Sequence, residues 1–240
     1  FDDMRGDLPD LAARQVEIVD WIAERTRAGR LIVCPSYYTD DPVLDRVFGQ
    51  RPPGYLEALG VTLDPRVELM WTGEEVCARA FSPGHLARVA DQMRRKPFLW
   101  DNYPVNDGPR MSRHLHLRAF TGRPAAIGHH ISAHGVNTAS QASLSQIPCL
   151  TLAESYREGD AYEYAAAFRR AAVAILGPDL AEAVERALLS LEDAGLDGLG
   201  HEQKARLRER FAAFDHPGAR EIVAWLDGVY AVGTDELHTQ

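Results

Sequence analysis

The sequence predicts an α/β protein, a parallel sheet or barrel followed by a bundle of helices. Short apolar runs closed by Pro, Gly or polar residues alternate with amphipathic segments as far as about residue 157, the order that lays parallel strands side by side with helices between them. From about Asp160 the rhythm changes to Ala-, Leu-, Arg- and Glu-rich segments separated by Gly and Pro breaks, the pattern of a helical bundle. A third observation concerns placement. Polar residues cluster directly behind the apolar runs, where the carboxyl ends of parallel strands would lie.

Taken in order, Phe1-Asp2-Asp3 reads as the end of a strand. PDLAARQVEIVDWIAERTRAG then carries Leu11, Val16, Val19, Ile22 and Ala23 at helical spacing, with Pro9 and Asp10 as start signals and Gly29 as a stop. RLIVCPSYY holds the run Leu31 to Cys34, closed by Pro35, and reads as a buried strand. A loop-and-helix region through Gly60 leads to the strand RVELMWTG. SPGHLARVADQMRR is a helix with Ser82 as N-cap and Pro83 in its first turn. KPFLWDNYPVNDGPR begins as the next strand, Pro97 to Trp100, and then fills with Asp101, Asn102, Tyr103, Asn106 and Asp107, while Pro104 bars a regular continuation. A polar connection from Gly108 to Pro124 precedes AIGHHISAHGVN, read as a strand, and ASQASLSQIPCLTLAESYR, read as a helix with Pro148 inside or beside it. YEYAAAFRRAAVAIL, DLAEAVERALLSLEDAG, HEQKARLRERFAAF and PGAREIVAWLDGVYA are the four helical segments that follow. The expected division is a (β/α) portion over residues 1–157 and a helical bundle domain over 158–240, its helices packing on the barrel or on a second copy of the chain as a homodimer.

Composition narrows the function. At 240 residues with 45% hydrophobic content the chain can bury a substantial core. A net charge of −9 with no basic run argues against a nucleic-acid or anionic-membrane surface, and no stretch approaches the ~18 consecutive apolar residues of a membrane span. Cys34, Cys77 and Cys149 are odd in number and lack metal-type spacing, so they read as reduced core thiols, with a reducing compartment, the cytoplasm, favoured. Lys96 and Lys204 are the lysines among 26 basic residues, a bias that suggests a GC-rich bacterial genome. The chain opens FDDMRGDLPD, with no Met and a strand end at residue 1, and is expected to start inside a fold.

The chemistry is expected at the strand ends. Asp2-Asp3, Ser36-Tyr37-Tyr38, Trp71-Thr72-Gly73, Trp100 to Asp107, and Asn137 would converge on one face of a barrel. Singly, each is more simply a turn former or helix cap. Together they suggest a pocket with Trp100 as an apolar platform and Asn102 and Asp107 as hydrogen-bonding groups, the combination sugars demand. Neighbouring carboxylates on one strand end cannot straddle a ring from opposite faces, as two-carboxylate glycosidases require at ~5 Å or at ~6.5–9.5 Å. They suit substrate assistance: a 2-acetamido carbonyl is the nucleophile, one Asp orients its N–H, and the other, its pKa raised by its neighbour, protonates the leaving oxygen.

The segments FDD, CPSYY, LMWTG, WDNYPVND, TGR and GVNTASQASLSQIP, in this order from Phe1 to about Pro148, resemble glycoside hydrolase family 84, the O-GlcNAcase and hyaluronidase-like β-N-acetylglucosaminidases. The resemblance implies the C-terminal part of a TIM (β/α)8 barrel that cleaves terminal β-linked N-acetylglucosamine with retention, through an oxazoline and without metal or cofactor. It implies that Asp2 orients the acetamido group and Asp3 is the general acid/base. Tyr38 would hydrogen-bond the acetamido oxygen, Trp100 would wall the acetamido pocket, and Asn102 would support it. Asp107 would grip the 4- and 6-hydroxyls, and Asn137 would make another sugar contact. The implied partner is a glycoside or glycoprotein bearing N-acetylglucosamine. Two departures bear on loop shape: Tyr37 stands where an acidic residue is common, and Thr138 where a Pro usually follows the matching Asn. The family's early barrel strands have no counterpart here, so a missing barrel half is expected from the same longer chain. Two rival readings are a sugar-binding protein without the reaction, and a barrel metallohydrolase using His114, His116, His129, His130 and His134 beside the Asp pair.

Overall fold

The computed structural model describes residues 1–2 and 4–233, which form two compact units. Of the described residues, the first holds those of Phe1–Asn102 and Ala126–Gly135; the second holds Tyr103–Ala125 and residues 136–233.

Unit 1 is built on a four-stranded sheet of β1 (Leu31–Val33), β2 (Val67–Trp71), β3 (Phe98–Asp101) and β4 (Ala133–Val136), ordered β1-β2-β3-β4, in which β1, β2 and β3 run parallel. Pairing is in sequence order, with Leu31 opposite Val67 and Met70 opposite Phe98. The connections are helical: α1 (Leu11–Arg25) precedes β1, α2 (Pro42–Phe48) and α3 (Tyr55–Thr62) join β1 to β2, and α4 (Pro83–Met93) joins β2 to β3. Ser82 caps α4 by accepting the His85 N–H at 3.1 Å, and Pro83 opens its first turn, where no N–H is needed.

The two faces of this sheet differ. Side chains alternate along a strand, and Val67, Leu69, Trp71, Leu99 and Asp101 are buried on one side while Glu68, Met70 and Trp100 are half-buried and Ile32 exposed on the other. The closed face is sealed by helices; Trp71 also donates its indole N–H to His85 Nε2 of α4 at 3.0 Å. On the open face Arg30 pairs with Glu68, which also accepts from Ser132 Oγ at 2.6 Å.

Two expectations in unit 1 are revised. The apolar stripe of α1 buries Leu11, Val16 and Val19, but Ile22 is 42% exposed beside the exposed Ile18 and Trp21. The strand expected across residues 126–137 is confined to β4. Ala125–His129 is a 3-10 turn that buries Ile127, and the His130 N–H bonds back to the Ile127 carbonyl at 2.9 Å, so this backbone is closed on itself before it can join the sheet.

Unit 2 contains α5 (Gln146–Glu158), α6 (Tyr164–Leu176), α7 (Pro178–Leu188), a π-helical segment over Leu189–Ala194, α8 (Gly195–Gly198), α9 (His201–Ala212) and α10 (Pro217–Leu226). The helix expected from Ala139 begins only at Gln146; Pro148 then sits in the first turn, where its missing N–H costs no bond. The core gathers Phe168, Val184, Leu191, Phe211, Ile222 and Trp225 with Leu115, Leu117, Leu144 and Ile147, all 5% exposed or less. Each such side chain contributes roughly 1.5–3 kcal/mol by leaving water. The helical region therefore shares one core with residues well upstream of 158. Trp225 is fully buried and its indole N–H donates to the Ser112 carbonyl at 3.1 Å.

The π-helical segment is bonded to the irregular segment of residues 114–118. A wider turn displaces carbonyls from the usual ladder, and here the Leu191 carbonyl accepts the Leu115 N–H at 3.0 Å and the Glu192 carbonyl accepts from His114 Nδ1 at 2.7 Å. Gly195 ends the segment at φ 62°; a Cβ there would lie 2.6 Å from the His114 ring and 2.7 Å from the Arg113 carbonyl, so only Gly fits.

Among the described residues Cys34, Cys77 and Cys149 are partly buried, and no helix is long and apolar enough to cross a membrane.

Candidate active site

The carboxyl ends of β1, β2 and β3 lie at one end of the unit 1 sheet, and backbone bonds tie the segments that follow them. The Thr72 N–H donates to the Tyr38 carbonyl at 2.8 Å, the Asp40 N–H to the Gly73 carbonyl at 3.2 Å, and Thr39 Oγ1 to the same carbonyl at 2.8 Å. Asp41 caps α2 through the Val43 N–H at 2.9 Å and also accepts the Val76 N–H at 3.3 Å. The post-β1 and post-β2 loops are thus one hydrogen-bonded layer.

Two of the anticipated residues enter through this layer. Ser36 Oγ donates to the Phe1 carbonyl at 2.9 Å, which brings the N-terminal residues alongside the post-β1 loop and places the exposed Asp2 near it. Gln15 of α1 steadies Ser36 from behind, donating to Ser36 Oγ at 2.7 Å. Tyr38 is buried at 6% exposure. Its neighbour Tyr37 turns away, fully buried edge-on against Tyr55 at 5.5 Å with its hydroxyl bonded to the Gly49 carbonyl, and burial raises its pKa. Asp3 lies outside the described residues.

The motif WDNYPVND sorts its side chains cleanly. Trp100 is half-buried on the open sheet face, and Asn102 is half-buried with its amide donating to the Val76 carbonyl at 2.8 Å. Asp101 between them is fully buried on the closed face and accepts from His134 Nε2 at 3.1 Å. From Tyr103 the motif continues in unit 2. Val105 and Asn106 are buried; Asn106 donates to the His114 carbonyl at 3.1 Å and to Gln141 Oε1 at 2.8 Å and accepts the Ser140 N–H at 3.0 Å. Asp107 is exposed and Asn137 half-buried, both in unit 2. The residues expected to touch a ligand are thus Asp2, Tyr38, Trp100 and Asn102 at one end of the unit 1 sheet, with Asp107 and Asn137 on unit 2.

The histidines are dispersed. His116 stacks on Tyr103 at 5.7 Å with Nδ1 3.1 Å from the Pro104 carbonyl, and burial lowers its pKa. His114 faces the π-helical segment and His134 faces Asp101. Among the described residues no group of three His, Cys, Asp or Glu side chains is placed to hold a metal ion. Val76 and His134 hold Asn102 and Asp101; the sequence suggests His134 only as a metal ligand, and the Val76 carbonyl acts independently of residue type.

A family model for beta-N-acetylglucosaminidase (NAGidase) matches residues 8–190. Protein O-GlcNAcase of Mus musculus is 26% identical over 126 residues, which is 52% of this chain and 13% of that protein, and the Rattus norvegicus protein matches to the same extent. Among solved structures, an Asp-to-Asn mutant of the Thermobaculum terrenum O-GlcNAc hydrolase superposes with a TM-score of 0.76 at 24% identity, over 96% of this chain and 57% of that one. CpGH84B superposes with a TM-score of 0.69 at 20% identity, over 95% of this chain and 46% of that one. The chain therefore spans a small fraction of the curated relatives and about half of each solved neighbour.

Proposed function

Because the chain belongs to the β-N-acetylglucosaminidase family, glycoside hydrolase family 84, we propose that this protein is a retaining β-N-acetylglucosaminidase of the O-GlcNAcase type, acting on terminal β-linked N-acetylglucosamine of a glycoside or glycoprotein. The observation that carries the reading is the common position of Asp2, Tyr38, Trp100 and Asn102 at the carboxyl end of the unit 1 sheet, drawn there by the Ser36–Phe1, Tyr38–Thr72 and Asn102–Val76 bonds.

In the proposed reaction Asp2 accepts the acetamido N–H and turns the carbonyl oxygen toward C1. That oxygen attacks as the glycosidic C–O bond breaks, and Asp3 gives its proton to the departing oxygen. The acetamido N–H proton passes to Asp2, leaving a neutral oxazoline. Asp3, now a base, takes a proton from water as the water attacks C1; the ring reopens, recovers its N–H proton, and two inversions give retention. Tyr38 and Asn102 hold the acetamido group, Trp100 covers it, and Asp107 and Asn137 bind ring hydroxyls. The scheme needs no metal or cofactor.

The same proposal extends to the fold. The half-open sheet face, lined by Ile32, Glu68, Met70 and Trp100, is taken as the interior wall of a (β/α)8 barrel whose other strands come from the same longer chain, with residues 1–157 in the barrel portion and 158–240 in the helical domain.

The test is hydrolysis of an aryl N-acetyl-β-glucosaminide by the full-length protein, beside Asp3→Asn and with a chelator. Turnover that survives the chelator and disappears with the substitution supports the proposal. No turnover from the folded protein would favour a sugar-binding protein, and loss with chelator a metallohydrolase.

A further inference from the structure

We propose that Asp101 and His134 form a positioning pair that sets the acyl-group selectivity of the site, by fixing Trp100 and Asn102 relative to the neighbouring strand ends. The proposal rests on the glycosidase reading for its substrate and on geometry for its mechanism.

A carboxylate with no solvent exposure is costly unless hydrogen-bonded. Asp101, at the end of β3, meets that condition with His134 Nε2 of β4 at 3.1 Å. Because a carboxylate only accepts, Nε2 carries the proton in this contact. The imidazole is itself held, standing edge-on to Phe81 with centroids 6.1 Å apart and planes at 88°.

The next residue along β4 completes the device from the opposite face. A Cβ on Gly135 would lie 2.7 Å from Phe98 Cε1 and 3.2 Å from Trp100 Cε3, so the Trp100 ring rests against bare β4 backbone. His134 and Gly135 therefore engage Asp101 and Trp100 in consecutive register, one pair on each side of the sheet. A slip of one residue would exchange faces and break both contacts. On the other flank Asn102 is tied to the Val76 carbonyl. The tripeptide Trp100-Asp101-Asn102 is thus clamped between β4 and the post-β2 loop. In the proposed reaction Trp100 and Asn102 touch the acetamido group, while the pair stays out of contact and acts through them.

The experiment compares wild type, His134→Gln, His134→Leu and Asp101→Asn in the full-length protein, with aryl glucosaminides bearing N-acetyl, N-propanoyl and N-butanoyl groups. Gln can donate to the carboxylate, and Asn can accept from the imidazole; both are expected to stay within severalfold of wild type with its acyl preference intact. His134→Leu is expected to lose about tenfold to a hundredfold in kcat/KM for N-acetyl, mostly in kcat, and to discriminate less among the acyl groups. Equal losses in the Leu and Gln variants, or an unchanged acyl profile in His134→Leu, overturn the proposal.

A second readout is independent of turnover. With 5-fluorotryptophan incorporated and the Trp100 signal assigned through Trp100→Phe, the fluorine resonance is expected to move in His134→Leu and to return in His134→Gln; a stationary signal overturns the proposal. If wild type hydrolyses nothing, the glycosidase reading alone falls, and the resonance still decides the pair. If His134→Leu does not fold, the double variant Asp101→Asn with His134→Leu removes the buried charge along with the bond and must show the same displaced resonance.

Discussion

Glu192 Oε2 accepts the backbone N–H groups of both Leu117 and Arg118, each at 3.1 Å. One buried carboxylate oxygen thereby fastens the segment of residues 114–118 to the π-helical turn. Burial pushes the Glu192 carboxyl from 4.5 up to about 7, against the pull of Arg118 and the two N–H groups. Oε1 lies 3.6 Å from the Arg118 guanidinium.

A stability profile follows from that shift. The folded state holds a proton on Glu192 that the unfolded chain releases near pH 4.5. The contribution is therefore complete below about pH 4.5 and lost as pH rises through about 7, an effect on the order of 3 kcal/mol. Chemical denaturation of wild type and Glu192→Gln between pH 4 and 8 should show their difference changing in that direction. Parallel profiles would mean that Glu192 stays ionised.

Trp225→Ala should be among the most damaging single changes in unit 2. It opens a cavity in the core and leaves the Ser112 carbonyl without its indole donor, at a cost of about 3–5 kcal/mol. Trp225→Phe should cost less. A thermal melt with both variants checks the order.

At Asn102 the bond to the Val76 carbonyl predicts an asymmetry. Asn102→Ala removes the tether, whereas Asn102→Asp sets a carboxylate against a carbonyl 2.8 Å from the present amide nitrogen. Asp should therefore lower kcat/KM more than Ala does, with Ala itself losing about tenfold to a hundredfold. Steady-state kinetics on the aryl glucosaminide would show the ranking, and an Asp variant more active than Ala would refute the tether.

Gly135→Ala should destabilise by about 1–3 kcal/mol through overpacking, because the added methyl meets the Phe98 and Trp100 rings. Phe98→Leu in the same protein should recover part of the loss by making room. A double-mutant cycle measures the coupling.

Fluorination of the substrate's N-acyl group should slow turnover progressively, since an electron-poor carbonyl is a weaker nucleophile. A flat series would deny the acetamido oxygen its role and leave Asp2 without one.

Much of unit 1 was legible because parallel strands with both ends marked by Pro, Gly or a cap announce themselves: Leu31–Val33, Val67–Trp71 and α4 fall where apolar runs and Ser82-Pro83 place them. The short β4 was overestimated because alternation through His129 and His130 imitates a strand, and only the turn at Ile127 reveals otherwise. Ile22 was placed in the α1 stripe because spacing defines a face without saying what covers it. At the proposed site, Trp100 at the end of an apolar run and Asn102, Asp2 and Tyr38 behind such runs are the residues that position in the sequence singles out. That Asp101 and Asn106 turn inward in the same motif depends on His134, Gln141 and Ser140, partners more than thirty residues away whose proximity no local pattern encodes.

The path of the chain between the two units has a consequence for how this protein can be divided. Among the described residues the polypeptide leaves unit 1 after Asn102, returns at Ala126 and leaves again after Gly135, so three crossings link the units there and no single scission parts them. Cutting at residue 157 would strip Leu115, Leu117, Leu144 and Ile147 of the helices that complete their core. The core of unit 2 thus depends on residues from both sides of position 157.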